Sequence, residues 1–274
     1  MKQRLTLIGS LLLALLLSAC GGLSDSAPEG AELNVFAASS LQEALDAVIE
    51  DYRKIAPEIT VLATYDSSGT LLRQIQEGAS CDLFLSAAPK QMDALDGSLI
   101  GDGEKNPDGL DLLAEGSRVD LLENRVVLAV PEDNPAGITS LEQLADLLKT
   151  GDVLLAIGNS DVPVGQYTQR IFSYYGIDEN AVSDKLTYGS NVKEVTTQVI
   201  ESVVDCGIIY ATDAFSAGLT VVDEATAELC GQVLYPAAVL KDSAQPEAAQ
   251  AFLDYLRTDE ARARFEVVGF SPLA

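Results

Sequence analysis

The chain has 274 residues, 42 of them acidic against 17 basic and none of them histidine, for a net charge of −25 at neutral pH. Such acidity argues against a nucleic-acid surface and an electrostatic membrane patch, and it gives an anion no long-range attraction, so any anion site must work through local dipoles. Without histidine there are no His-dependent catalytic triads, no His metal sites and no imidazole acid–base chemistry. Cys81, Cys206 and Cys230 show no metal-ligand spacing.

The N-terminus reads Met1-Lys2-Gln3-Arg4, then an apolar run from Leu5 to Leu17, then Ser18-Ala19-Cys20-Gly21-Gly22. A short basic stretch, an apolar core too short to span a bilayer and small residues before a cut make a secretory signal. Cys20 directly after Leu17-Ser18-Ala19 resembles a bacterial lipoprotein signal, which implies cleavage before Cys20, lipid on its thiol and tethering outside the cytoplasmic membrane. Residues 1–19 are thus expected to be the signal and 20–31, rich in Gly, Ser, Asp, Pro and Glu, a flexible tether. In that setting two of the later cysteines could pair, and Cys206 with Cys230 is the preferred bond.

Leu33, Val35 and the run Phe36-Ala37-Ala38 suit a short buried strand, and Leu41, Leu45, Val48, Ile49 and Tyr52 then fall on one helical face. Ser40 with Glu43 three residues on is a capping-box pattern that predicts Ser39 or Ser40 at the N-cap. Strand-then-helix repeats from there on: strand 59–63, helix from Leu71, strand 81–85, helix 90–95, an irregular loop over 97–110 and a buried strand at 125–131. A second block follows, with a helix capped by Ser140, a strand 153–157, a helix 164–175 closed by Gly176, a helix 192–204, a strand 207–210 and an extended run 233–240. The end, 246–267, is mostly helical. Alternation of this kind predicts an α/β fold with largely parallel sheets, in two lobes: 32–120 with 236–274, and 121–235 between them.

Four strand-to-helix junctions carry small, hydroxyl- or amide-rich turns: Ala38-Ser39-Ser40; Asp66-Ser67-Ser68-Gly69; Asn159 to Gly165; and Gly189-Ser190-Asn191-Val192, where Asn191 and Glu194 make a second capping pair. Helix starts present free N–H groups and a positive dipole end, and in open α/β sheets they gather at the carboxyl edge where ligands bind. Gly69 is expected to let backbone approach a ligand closely. One junction alone would be structural; four together point to an oxyanion site.

The stretches Val35 to Leu41, Asp66 to Leu71, Cys81 to Ala87, Gly207 to Ala214 and Tyr235 to Val239, in this order and spacing, resemble the molybdate-binding proteins of bacterial ABC importers over nearly the whole mature chain. The resemblance implies the two-lobed, hinge-closing periplasmic-binding-protein type II fold with ligand in the cleft. It implies hydroxyl donors at Ser40, Ser68 and Tyr210, backbone donors at Val164 and Val192, and molybdenum present only as the oxyanion, with no cofactor and no catalysis. It further implies molybdate and tungstate as ligands, a permease with a cytoplasmic ATPase as partner, and a lipid-anchored monomer. A valine at 164, where alanine is frequent in the family, narrows the pocket, and Ser39 adds a hydroxyl where alanine is familiar.

Two other readings compete. Another oxyanion such as sulfate or phosphate could be the ligand, with Asp66 or Asp161 as the acceptor that a protonated phosphate needs. A carboxylate-based hydrolase is the third, although no carboxylate pair stands out by spacing. Tyr174-Tyr175 evokes a ferric-binding phenolate pair, but its place late in a helix favours packing.

Overall fold

The computed structural model describes residues 30–273, so the signal, most of the tether and Cys20 lie outside the described residues. The chain first builds β1 (Ala31–Ala38), α1 (Gln42–Ile55), β2 (Ile59–Asp66), α2 (Ser68–Gln76), β3 (Leu83–Leu85), α3 (Pro89–Asp93) and β4 (Val119–Asn124). It then crosses into β5 (Val126–Val130), α4 (Leu141–Thr150), β6 (Leu155–Gly158), α5 (Pro163–Tyr175), β7 (Leu186–Gly189), α6 (Val192–Ile200), β8 (Cys206–Tyr210), α7 (Ala211–Ala217), β9 (Thr220–Glu224) and α8 (Ala227–Cys230). It returns through β10 (Val233–Val239), α9 (Pro246–Tyr255), α10 (Asp259–Val267) and β11 (Ser271–Pro272).

Two sheets result, ordered β11-β4-β10-β3-β1-β2 and β7-β6-β8-β5-β9. Both are mixed rather than largely parallel. Strand β1 runs parallel to β2 and β3, and β6 to β7 and β8, because a helical crossover returns each chain in the same sense. Strands at the crossings run the other way: β10 is antiparallel to β3 and β4, and β5 to β8 and β9. Both β4 and β10 belong to the first sheet, so the first crossing lies at Asn124–Val126, a few residues after the expected 120, and the return precedes Val233.

The caps follow local rules. Ser140 Oγ accepts the Gln143 amide, Pro163 takes the first position of α5, and Gly176 closes that helix in the left-handed region at φ 60°. Strand β5 is buried along its whole length, as its unbroken apolar run requires. In β1, Leu33, Val35 and Ala37 join the main core, whereas Phe36 joins a smaller core with Leu71, Phe84 and Met92 on the other face. The C-terminal helices complete the first lobe by packing on α1, where the rings of Tyr52 and Phe252 lie 4.8 Å apart.

The expected Cys206–Cys230 bond is absent: both thiols are free and buried, as is Cys81. Cys206 starts β8 beside the Leu154 carbonyl, whereas Cys230 ends α8 beside the carbonyls of Thr226 and Gly231. No helix among the described residues is long and apolar enough to cross a membrane.

Candidate functional site

At the first junction the serines do not cap. A 3-10 turn, Ser39–Leu41, is inserted after β1, and the cap positions fall on Ala38 and Leu41, without a side-chain cap bond. The turn is closed by the Gln42 N–H donating to the Ser39 carbonyl, and neither serine hydroxyl is used as a cap. Ser40 Oγ lies 2.9 Å from Tyr235 Oη, and Glu43, expected in the capping box, reaches Lys193 instead at 2.7 Å.

At the second junction Ser67 is the cap, its Oγ accepting the Thr70 amide at 3.1 Å, which frees Ser68. Ser68 Oγ accepts the Ala87 amide at 2.9 Å, so its own proton points elsewhere. In the second lobe the Asn191 side chain accepts the Glu194 amide, and the Glu194 carboxylate reaches back past the cap to accept the Ser190 amide. The Val192 amide, in the first turn of α6, has no intrahelical acceptor.

These junctions line a small cavity whose wall includes Ser39, Ser40, Ser67, Ser68, Val192 and Tyr210. Four of the five expected site residues therefore converge. Val164 does not line it: the wall there is Val162 and Pro163, with Val164 buried behind them. Ser39 and Ser67 are additional wall residues, and Asp66 is the one carboxylate in the wall, its Oδ1 taken up by the Ser67 amide at 2.6 Å. Asp161 instead faces Arg73 across the lobes at 2.5 Å, and Tyr174-Tyr175 stack on each other away from the cavity.

No lysine or arginine lines the cavity among the described residues. Tyr210 is 1% exposed, packs edge-on to Tyr235 at 5.7 Å, and its Oη has no hydrogen-bond partner among the described residues. Burial holds its ionisation well above the ordinary tyrosine range, so it remains a neutral donor. Gly69 is not among the residues that line the cavity. A Cβ there would collide with the Asp161 carbonyl oxygen, so this glycine lets the second lobe close onto α2.

Lys193 Nζ lies 3.1 Å from Oδ1 of Asp213, a carboxylate 1% exposed. Burial pushes Lys193 down, but Asp213 and Glu43 outweigh it and the ammonium is held. Burial raises Asp213 from 3.8 to about 6 despite Lys193. A carboxyl raised on folding is costless while protonated in both states, below about pH 4, and destabilising as pH rises through 6. The loss is about 3 kcal/mol by neutral pH. Asp213→Asn is expected to flatten that fall, read as thermal melts across pH 5–8; parallel curves for the two proteins would show that Asp213 does not titrate there.

The family model described as bacterial extracellular solute-binding protein matches residues 33–271. A Bacillus subtilis (strain 168) protein that carries the name of an ABC transporter substrate-binding lipoprotein, YvgL, is 33% identical over 98% of both chains. The molybdate-binding protein ModA of Haemophilus influenzae is 31% identical over 91% of this chain and 94% of its own. In structure, the periplasmic molybdate-binding protein of Azotobacter vinelandii superposes with a TM-score of 0.72 at 18% identity, covering 88% of this chain and all of that one. The chain belongs to the bacterial extracellular solute-binding protein family.

Proposed function

We propose that this protein captures molybdate, and tungstate with it, outside the cytoplasmic membrane and delivers it to the permease of an ABC importer driven by a cytoplasmic ATPase. Lipid on Cys20 would hold a monomer at the membrane through the tether, a reading supported by the lipoprotein name of the Bacillus relative. The ligand donors are the hydroxyls of Ser40, Ser68 and Tyr210 and the backbone amides of Val192 and Val164. Because Pro163 has no N–H, Val164 is the first residue of α5 that can donate, which supports its place in the set although its side chain lies behind the wall.

The observation that carries this reading is the buried, unpartnered Tyr210 hydroxyl in the wall of a cavity formed by helix starts of both lobes. A buried hydroxyl without a partner costs about 1–3 kcal/mol, which a bound oxyanion would relieve. Molybdate is a tetrahedral dianion without a proton at neutral pH. Neutral N–H and O–H dipoles, pre-positioned and dry once the lobes close, can replace its hydration without a counter-ion. Sulfate, equal in charge but smaller, is rejected by size. A hydrogenphosphate needs an acceptor, and Asp66 is the feature that favours that second reading.

Calorimetric titration with molybdate, competed by sulfate, phosphate and tungstate, tests the assignment. Tight one-to-one molybdate binding displaced only by tungstate is expected; equal sulfate affinity sinks the molybdate reading, and preference for phosphate turns attention to Asp66. Ser68→Ala and Tyr210→Phe are each expected to weaken molybdate by about 1–3 kcal/mol; Tyr210→Phe should leave the melting temperature nearly unchanged, whereas Ser68→Ala should lower it because the buried Ala87 amide loses its acceptor. Unchanged affinity in both would remove these residues from the site.

A further inference from the structure

Strands β4 and β10, which pair where the chain crosses between sheets, carry a buried polar relay that ends in the cavity wall. Asn124 and Tyr235 are 3% and 1% exposed. Asn124 Oδ1 accepts the Arg125 amide at 2.8 Å, which settles which end of the side-chain amide is nitrogen. Nδ2 then spends its two protons on Thr212 Oγ1 at 2.9 Å and Tyr235 Oη at 3.1 Å. Tyr235 Oη thus already accepts one hydrogen bond, and its remaining partner is Ser40 Oγ at 2.9 Å.

Either oxygen of that last pair could donate, but the alternatives are unequal. If Ser40 donated, the single phenolic proton of Tyr235 could turn only toward Tyr210 Oη, which is not placed to make a hydrogen bond of normal geometry, at a cost in the range of an unmade buried hydrogen bond. Tyr235 therefore donates to Ser40, and the Ser40 proton is left to point into the cavity that Ser40 lines. Ser68 reaches the same polarity by a different route, through the Ala87 amide.

We infer that Asn124 and Tyr235 are positioning residues that hold the Ser40 hydroxyl as an obligate donor, and that this relay, rather than the cavity wall alone, makes the site select a fully deprotonated oxyanion over one carrying a proton. The inference deepens the oxyanion-capture reading and rests on it. The relay is oriented by an amide, which cannot reverse the direction of donation, so the polarity holds at any pH at which the protein is folded.

Two variants reverse or release it. In Asn124→Asp a carboxylate oxygen replaces Nδ2 in nearly the same volume. It accepts the Tyr235 proton, so Ser40 donates to Tyr235 and turns a lone pair toward the ligand. In Tyr235→Phe the phenol is gone and the Ser40 hydroxyl is free to donate or accept. Affinities for molybdate and for hydrogenarsenate, a tetrahedral oxyanion that carries a proton near neutral pH, are measured by calorimetry for the purified protein and both variants. The molybdate-to-hydrogenarsenate preference is expected to fall about tenfold or more in Asn124→Asp and by a smaller factor in Tyr235→Phe.

Added negative charge or loosened packing would weaken both ligands in parallel, so an unchanged ratio in the variants that fold, whatever the absolute affinities, overturns the inference. If the unmutated protein binds sulfate and not molybdate, the molybdate reading falls and the ratio is read with sulfate. If it prefers hydrogenarsenate or hydrogenphosphate, the donor-only polarity is refuted together with that reading.

Discussion

Gly69→Ala is expected to fold as well as the unmutated protein and to lose about 100-fold or more in molybdate affinity, as measured by calorimetry. Gly69 is the second residue of α2 and has no positive φ, so alanine is compatible with the helix, where it is the better former by up to about 1 kcal/mol. The obstacle lies in the other lobe. The added Cβ would meet the backbone carbonyl of Asp161, which cannot swing aside like the end of a long side chain. With the second lobe held off, the ligand keeps Ser40 and Ser68 and loses Tyr210, Val192 and the dry enclosure that strengthens every donor. Solution scattering should show the variant unchanged by ligand. Unmutated affinity in Gly69→Ala would mean that the Asp161 loop yields and that this contact does not gate closure.

Lys193→Met is expected to destabilise the protein by about 3–5 kcal/mol at pH 7.5, because it leaves Asp213 buried without its cation. The loss should shrink at pH 5, where the carboxyl, already raised to about 6, takes up a proton. The double variant with Asp213→Asn should recover most of it at pH 7.5. Glu43 is half exposed and can turn to water, so it contributes little to this cost. Thermal melts of the single and double variants at the two pH values decide the matter. An equal loss at both, without rescue, would mean that Lys193 acts through packing of its stem rather than through charge. Lys193 follows Val192 and Asp213 closely follows Tyr210, so this pair ties the start of α6 to the start of α7.

Much of the site was legible as local chemistry. The hydroxyl-rich turns after strands, the proline at the first position of α5 and the Asn191 cap on the Glu194 amide depend on residues within four of each other, and all appear in the fold as read. The same local rules misassigned Ser40. Ser40-x-x-Glu43 satisfies the capping pattern, yet an inserted 3-10 turn took over the capping, and both side chains found partners elsewhere in the chain. Strands β4, β7 and β9 were also missed. They are partly exposed, and their apolar pattern is broken where that of β5 is continuous.

The sequence by itself determined that this is an acidic α/β protein without imidazole chemistry, whose strand-to-helix turns could hold an anion by neutral dipoles. Composition and the 2.0 and 3.6 residue periods suffice for that. Tertiary structure alone decided which partners these side chains meet. Ser40 is set by Tyr235, 195 residues away, Lys193 by Glu43, 150 away, and Gly69 by the carbonyl of Asp161 in the opposite lobe. A hydrogen bond's direction depends on every other bond its two atoms make, and those partners are brought together only when the sheets pair and the lobes meet.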